Sequence, residues 1–338
     1  MTFNKLLLLM TAAFALVLAA CGDDDGDSGS PTATTTAGGT ATIAASAEPA
    51  GPFFDCDEPH PGTEADASYF PVTVTDGGGT EVTIEQPSAK IVSLDAAHTE
   101  TLYAIGAGDQ VLAVDNFSNC PVEVSALSAR IDAFSPSLEA VTGLEPDLVI
   151  TAFDQGDFVA TMRGAGLTVL FLPSPADIEA TYEDIGLVGE ATGHPDEAGA
   201  IITAMISEIG DIEASVEGEV GPTFYHESDN TYYSVGPGSF IADLYEVLGA
   251  ENIADSTGQA YPQLSAEAII AADPEVIILA DEGFGESADT VAARPGWNVI
   301  DAVENDRIYG LDPDIASRAG PRIVDALRLL QEALYPDL

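Results

Sequence analysis

The sequence predicts an α/β fold of two lobes, each built on a parallel sheet, with one long rigid helix joining them. Three observations carry that prediction. Short apolar strands alternate with helices over residues 90–172 and again over 223–335, the pattern of parallel sheets covered on both faces. Between these blocks, residues 178–216 are almost wholly helix-permissive and are interrupted only at Thr192-Gly193-His194-Pro195. An internal echo then pairs the blocks: Leu138-Glu139-Ala-Val-Thr-Gly-Leu-Glu-Pro146-Asp147-Leu-Val-Ile150 matches Leu264-Ser-Ala-Glu267-Ala-Ile-Ile-Ala-Ala-Asp-Pro274-Glu275-Val-Ile-Ile278. Each block is therefore one Rossmann-like lobe, and each carries a glutamate at the start of a short helix.

The N-terminus reads as a targeting segment. Lys5 precedes an apolar run over residues 6–20, short for a membrane span, and Leu18-Ala19-Ala20-Cys21-Gly22 has the form of a lipoprotein cleavage site. Residues 1–20 are thus expected to be a signal peptide, with lipid on Cys21. Residues 21–68 hold no lysine or arginine and are rich in Asp, Gly, Ser, Thr and Pro, so they are expected to form a flexible acidic tether. An N-terminal lobe over 69–194, a connecting helix over 195–218 and a C-terminal lobe over 219–338 complete the layout. The body is expected outside the cytoplasm, held to the cell membrane by that lipid alone.

Within the body the elements follow in order. The Gly-rich turn at 77–79 between two alternating β-branched runs predicts a hairpin. Strands follow at 90–94, 110–115, 147–152 and 168–172, with helices between them from His98 to Gly106, over 137–143 and over 158–164. Pro195 opens a helix to about residue 215, about 30 Å long at 1.5 Å per residue. The second block gives strands at 223–226, 276–279 and 307–311, helices at 240–248, 265–271 and 290–293, and a closing helix over 319–335.

Composition excludes several roles. Among 338 residues, 57 acidic side chains stand against 9 basic ones, a net charge of −48 that repels nucleic acid and anionic membrane surfaces. With 46% hydrophobic residues the chain still buries a core, and its acidity reads first as a solubility adaptation. Gly-x-Ser-x-Gly, a phosphate-binding loop, His-Glu-x-x-His and Cys-x-x-Cys are all missing, so no enzyme chemistry and no cofactor are expected. Beyond Cys21 there remain Cys56 and Cys120; they are either bridged, which an oxidising exterior favours, or two free thiols.

Several segments together carry a family resemblance. Ile91-Val-Ser-Leu-Asp95-Ala-Ala-His98-Thr-Glu100-Thr-Leu, Glu145-Pro-Asp-Leu-Val-Ile150, Gly249-Ala-Glu-Asn-Ile253, Tyr261-Pro-Gln-Leu-Ser265 and Ala293-Arg-Pro-Gly-Trp297 resemble the helical-backbone substrate-binding proteins of ABC importers, the class III periplasmic binding proteins. The likeness runs from about residue 70 to 335. It implies a lipid-anchored, monomeric receptor that captures a small-molecule metal chelate, of the iron-siderophore or cobalamin type, and presents it to a permease and its ATPase. A haem receptor or a receptor for a free transition-metal ion is the alternative. It also implies that Glu139 and Glu267 dock on the permease.

Ligands of parallel sheets bind beyond the carboxyl ends of the strands, which directs attention to the loops at 95–98, 116–119, 153–155, 227–233, 281–284 and 312–318. Resemblance to a cobalamin-binding member of the family points to Phe117, Phe153, Tyr233 and Tyr261 as cleft aromatics and to Asp314 and Arg318 as a polar pair, with one further aromatic position falling near Ala133 or Phe134. Asp95 belongs to the same rim. Lys5 set aside, only eight cations remain, so Arg318 is a candidate clamp for a ligand carboxylate or phosphate; the competing role is an ion pair with Asp314. His98 and His226 are placed to face the cleft, but no protein metal site is assigned to them.

Overall fold

In the computed structural model, residues 41–42 and 51–338 are described; the signal segment, Cys21 and most of the expected tether lie outside them. A two-residue strand, β1 (Ala41–Thr42), is followed by the hairpin of β2 (Val72–Thr75) and β3 (Glu81–Ile84), paired antiparallel. Its turn needs Gly79 at φ 77° and is tied by Asp76 Oδ1, which accepts from the backbone N–H groups of Gly78 and Thr80.

The first lobe contains β4 (Ile91–Ser93), α1 (Ala96–Ala104), β5 (Val111–Asp115), β6 (Arg130–Ile131), α2 (Leu138–Thr142), β7 (Leu148–Thr151), α3 (Phe158–Gly164) and β8 (Val169–Phe171). Its sheet is wholly parallel, in the order β6-β5-β4-β7-β8. Two helices then run in sequence, α4 (Ile178–Thr192) and α5 (Pro195–Ser215). Gly193 at φ 82° ends the first, where a side chain would strain the left-handed turn, and Pro195 opens the second at its first position.

The second lobe contains β9 (Thr223–Glu227), α6 (Phe240–Val247), β10 (Glu251–Asn252), α7 (Ala266–Ala272), β11 (Val276–Leu279), α8 (Ala288–Ala292), α9 (Asp301–Glu304), β12 (Ile308–Gly310), α10 (Pro313–Ala316) and α11 (Ile323–Leu334). Its sheet is also parallel, ordered β1-β12-β11-β9-β10. In each lobe the strand order reverses about the lobe's own first strand, β4 lying between β5 and β7, and β9 between β10 and β11. That topology opens a crevice above the carboxyl ends of both sheets.

Alternate residues of the strands face different cores. Ile91, Leu148 and Ile150 join Phe224, Val276 and Ile278 in one apolar layer that also takes in Met205, Ile209 and Ile212 of α5 and Leu327 and Leu330 of α11. Val92, Leu94 and Val149 pack on the other face of the first sheet, and Tyr225, Ile277 and Leu279 on the other face of the second. The shared layer passes continuously from lobe to lobe beneath α5. A hinge opening would have to expose it, which costs about 25 cal/mol for each Å² of apolar surface.

Two expectations are corrected here. Residues 51–68 are not a free tether. Phe54 is buried, the Phe53 N–H donates to Asp325 Oδ1 of α11 (2.7 Å), the Thr63 N–H to the Gly106 carbonyl (2.8 Å) and the Asp66 N–H to the Gly193 carbonyl (2.8 Å). Cys56 is disulfide-bonded to Cys120. The segment thus straps α11 of one lobe to the first lobe; its polar composition hid this because its apolar anchor is confined to Phe53, Phe54 and the disulfide-bonded Cys56. The closing helix also begins at Ile323 rather than at Ala319. Pro321 disfavours helix in the residue before it, and at Gly320 a Cβ would lie 3.2 Å from the Ala97 carbonyl of α1, so the chain turns where the lobes touch, the Ile323 N–H donating to the Gly320 carbonyl (3.1 Å).

Candidate functional site

A cavity of about 480 Å³ lies in the crevice between the lobes. From the first lobe it is lined by residues 94–98 after β4, Asp115 and Phe117 after β5, Ala133 and Phe134 after β6, Phe153 after β7 and residues 172–175 after β8; from the second by Tyr261, Phe284, Pro313, Asp314 and residues 317–319. Phe134 stands between two other rings, with its centroid 5.4 Å from Phe117 (edge-on) and 4.8 Å from Phe153. Phe117, Phe134, Tyr261 and Phe284 remain exposed, the last 82% so. A contiguous exposed aromatic surface of this kind marks a place where another molecule is buried.

Beneath the aromatic wall the lobes are held by charge. Glu100, fully buried on α1, accepts through Oε1 from Arg318 Nη1 (2.6 Å) and Arg322 Nη2 (2.6 Å), and through Oε2 from Arg322 Nε (3.0 Å). Arg318 gives its other donors to Asn119 Oδ1 (2.8 Å), the Phe117 carbonyl (3.0 Å) and Asp314 Oδ1 (2.6 Å). Asn119 Nδ2 donates in turn to Asp314 Oδ2 (2.6 Å). Two arginines and two carboxylates therefore close a neutral set across the lobe junction. For Arg322, burial works against the charged form, but the hydrogen bonds and charge of Glu100 outweigh it and hold the guanidinium above its usual range.

The first-lobe side of the cavity is acidic. Asp95 caps α1, its Oδ1 accepting from the His98 N–H (3.1 Å) and lying 3.3 Å from His98 Nδ1. Asp115 Oδ1 accepts from the N–H groups of Phe117 (2.6 Å) and Ser118 (3.1 Å), and Oδ2 from the Ser118 hydroxyl. Burial raises the Asp115 carboxyl, the Ser118 hydroxyl opposes the rise, and the nearby Asp95 charge adds to it. Asp184 on α4 is pushed up to about 6 by burial, opposed by His98 and reinforced by Glu183 and Asp95.

Comparison with known proteins decides the family. A model described as periplasmic binding protein matches residues 91–315, most of the two lobes. The chain belongs to the periplasmic binding protein family. Among its relatives, an uncharacterized ABC transporter substrate-binding lipoprotein, YvrC, of Bacillus subtilis is 34% identical over 79% of this chain and 87% of its own length. A cobalamin-binding protein of Halobacterium salinarum is 29% identical over 81% of this chain and 78% of its own. Among solved structures, the periplasmic heme-binding protein RhuT of Roseiflexus, in apo form, superposes with a TM-score of 0.67 at 26% identity, covering 74% of this chain and 98% of that one. Two parallel-sheet lobes on one long helix are the class III architecture.

In this periplasmic binding protein the cavity gathers Asp95, His98, Phe117, Phe153, Tyr261, Asp314 and Arg318. Arg318 lines the cavity but is no free clamp: both of its terminal nitrogens are engaged by Glu100, Asn119, Phe117 and Asp314. His226, expected to face the cleft from the end of its strand, is a correction. It shares the face of Phe224, which stacks on Tyr245, so it turns under α6, where Nδ1 sits 2.9 Å from the Tyr245 hydroxyl and burial pulls the imidazole down to about 4. Tyr233 is exposed but is not among the lining residues; it pairs with Gln263 in an isolated bridge. Phe284 closes the 281–284 loop to which the sequence pointed without singling it out; Phe134, which the sequence brought only near an aromatic position, proves to be the central ring. Glu139 and Glu267 are both exposed, each the second residue of its helix after a capping serine, Ser137 and Ser265.

The second lobe holds another charged cluster. Glu227 ends β9 and accepts two bonds from Arg294 (2.6 and 2.5 Å), which also bonds Glu286 (2.8 Å) and lies 4.7 Å from the Trp297 ring centroid. Asp281 is buried nearby, and neither of its oxygens has a hydrogen-bond partner among the described residues. Burial, then the charges of Glu227 and Glu286, push its carboxyl up to about 7.

Two outcomes are expected. Glu100→Gln leaves buried Arg322 without a carboxylate and Arg318 with Asp314 alone, and should lower unfolding free energy by about 3–5 kcal/mol, read from urea denaturation midpoints. For Asp281 the folded value lies above the unfolded one of 3.8, so its contribution to stability is full below about pH 4 and is lost as pH rises through about 7. Asp281→Asn removes that loss: the variant should match the parent at pH 4 and exceed it at pH 8 by about 1–3 kcal/mol in denaturation series across that range.

Proposed function

We propose that this chain is the capturing subunit of an ABC importer and that its inter-lobe cavity takes a metal chelate of the corrinoid or iron-chelate type. The observation that carries the reading is the ring of aromatic side chains at the carboxyl ends of the strands, drawn from both lobes around a cavity of about 480 Å³. A rigid macrocycle or chelate buries large apolar faces at little entropic cost, and Phe117, Phe134, Phe153, Tyr261 and Phe284 offer it such faces. The cobalamin-binding relative and the heme-binding structure both belong to this ligand range. Lipid on Cys21 would hold the body at the outer face of the cell membrane. Binding, rather than catalysis, is the proposed task.

Glu139 and Glu267 suit docking on a permease. They occupy matching places in the two lobes, exposed at the first turns of helices that precede β7 and β11. Paired carboxylates of this kind fix register and steer encounter with a basic partner.

Titration calorimetry with aquocobalamin and with a ferric trihydroxamate should show binding of at least one. Phe134→Ala, which removes the ring between Phe117 and Phe153, should then weaken it about tenfold or more. Binding of neither would overturn the reading. In cells that depend on this importer, the double reversal Glu139→Lys/Glu267→Lys should abolish uptake while chelate affinity in vitro stays unchanged; uptake at the parent rate would remove the docking role.

A further inference from the structure

We propose that the cavity selects chelates of zero or positive net charge and rejects anionic ones, with Asp95 as the counter-charge that a cationic ligand meets; this rests on the receptor reading above. A census of charge makes the argument. Arg318 is the only lysine or arginine among the lining residues, and it is neutralised within the set it forms with Glu100, Asp314 and Arg322. Arg130, behind the wall, gives its donors to the carbonyls of Asp115, Ser118 and Val124. Among the described residues, no lining lysine or arginine keeps a free terminal nitrogen pair with which to clamp a ligand carboxylate or catecholate. An anion entering here would exchange water for aromatic faces and fixed carboxylates, which is costly.

The acidic side is the reverse. Asp95 uses Oδ1 to cap α1, while Oδ2 has no hydrogen-bond partner among the described residues and the side chain is 18% exposed at the cavity wall. Asp115 stands beside it with both oxygens satisfied by Phe117 and Ser118. The raised Asp115 carboxyl registers the Asp95 charge after burial and its own hydrogen bonds; no arginine or lysine among the lining residues pairs with Asp95, and His98, 3.3 Å from Asp95 Oδ1, is the one group of this wall that opposes its charge. Aromatic faces add to the preference, since the ring quadrupole attracts cations. The net charge of −48 draws cations toward the molecule at long range.

The test compares ligands of one shape and different charge. The full chain in mild detergent is titrated with dicyanocobinamide, whose periphery is amide, and with dicyanocobyrinic acid, which carries carboxylates at the same places on the same ring. A ferric trihydroxamate bearing a free ammonium is set against a trianionic ferric tris-catecholate. In each pair the neutral or cationic member should bind at least a hundredfold tighter, with the ratio shrinking as salt is raised from 0.05 to 0.5 M. Asp95→Asn retains a good helix cap and should narrow the ratio about tenfold. Equal or tighter binding of the carboxylate or catecholate members, or a ratio unmoved in Asp95→Asn, overturns the selectivity while leaving the receptor reading intact. Failure of all four ligands to bind overturns both.

Discussion

The buried charge set of Glu100, Arg318 and Arg322 is the constraint on which the rest of the molecule depends. It joins the first turns of α1 to the segment that precedes α11, so its three side chains fix where one lobe stands against the other. Such a set is a poor source of net stability, because taking ions out of water costs nearly what their attraction returns. What it supplies is geometry. Any rotation of the lobes that pulled Glu100 from both arginines would leave it buried without a counter-charge, and at Gly320 a Cβ would lie 3.2 Å from the Ala97 carbonyl, which marks the same junction sterically.

Three further features act in the same sense. The apolar layer runs unbroken from the first sheet to the second beneath α5 and α11, and the single long helix leaves no pair of extended crossovers to bend. Residues 51–68 add a strap from α11 to the first lobe, tied by the disulfide to the loop that carries Phe117 and Asn119. A receptor built this way presents a nearly preformed cleft. Its ligand pays little for ordering the protein, and its specificity comes from the shape and charge of walls that do not rearrange.

Much of this was legible in one dimension. The alternation of apolar strands and helices gave the two sheets because a parallel sheet must be covered on both faces, and the echo around Glu139 and Glu267 exposed the repeat. Asp95, Phe117 and Phe153 were reachable because ligand loops follow strand ends. Arg318 and His226 were misread for one reason: position at a strand end or helix start says nothing about which partner a side chain meets. Glu100, spent on both arginines, lies 218 residues from Arg318 and 222 from Arg322. His226 shares the strand face of Phe224, and it is the packing of Tyr245 from α6 on that face that buries it.

The sequence by itself determined the fold class, the order of elements, the junction helix opened by Pro195 and the surplus of acidic charge. These follow from local periodicity, capping and composition, which need no knowledge of distant residues. Only the tertiary structure decided that Arg318 is neutralised, that residues 51–68 pack on the body, that Phe134 completes the aromatic wall and that Asp281 is buried without a partner among the described residues. Each of these is set by contacts between segments far apart in the chain. The free energy of a charge or a ring depends on what surrounds it in space, which local pattern does not encode.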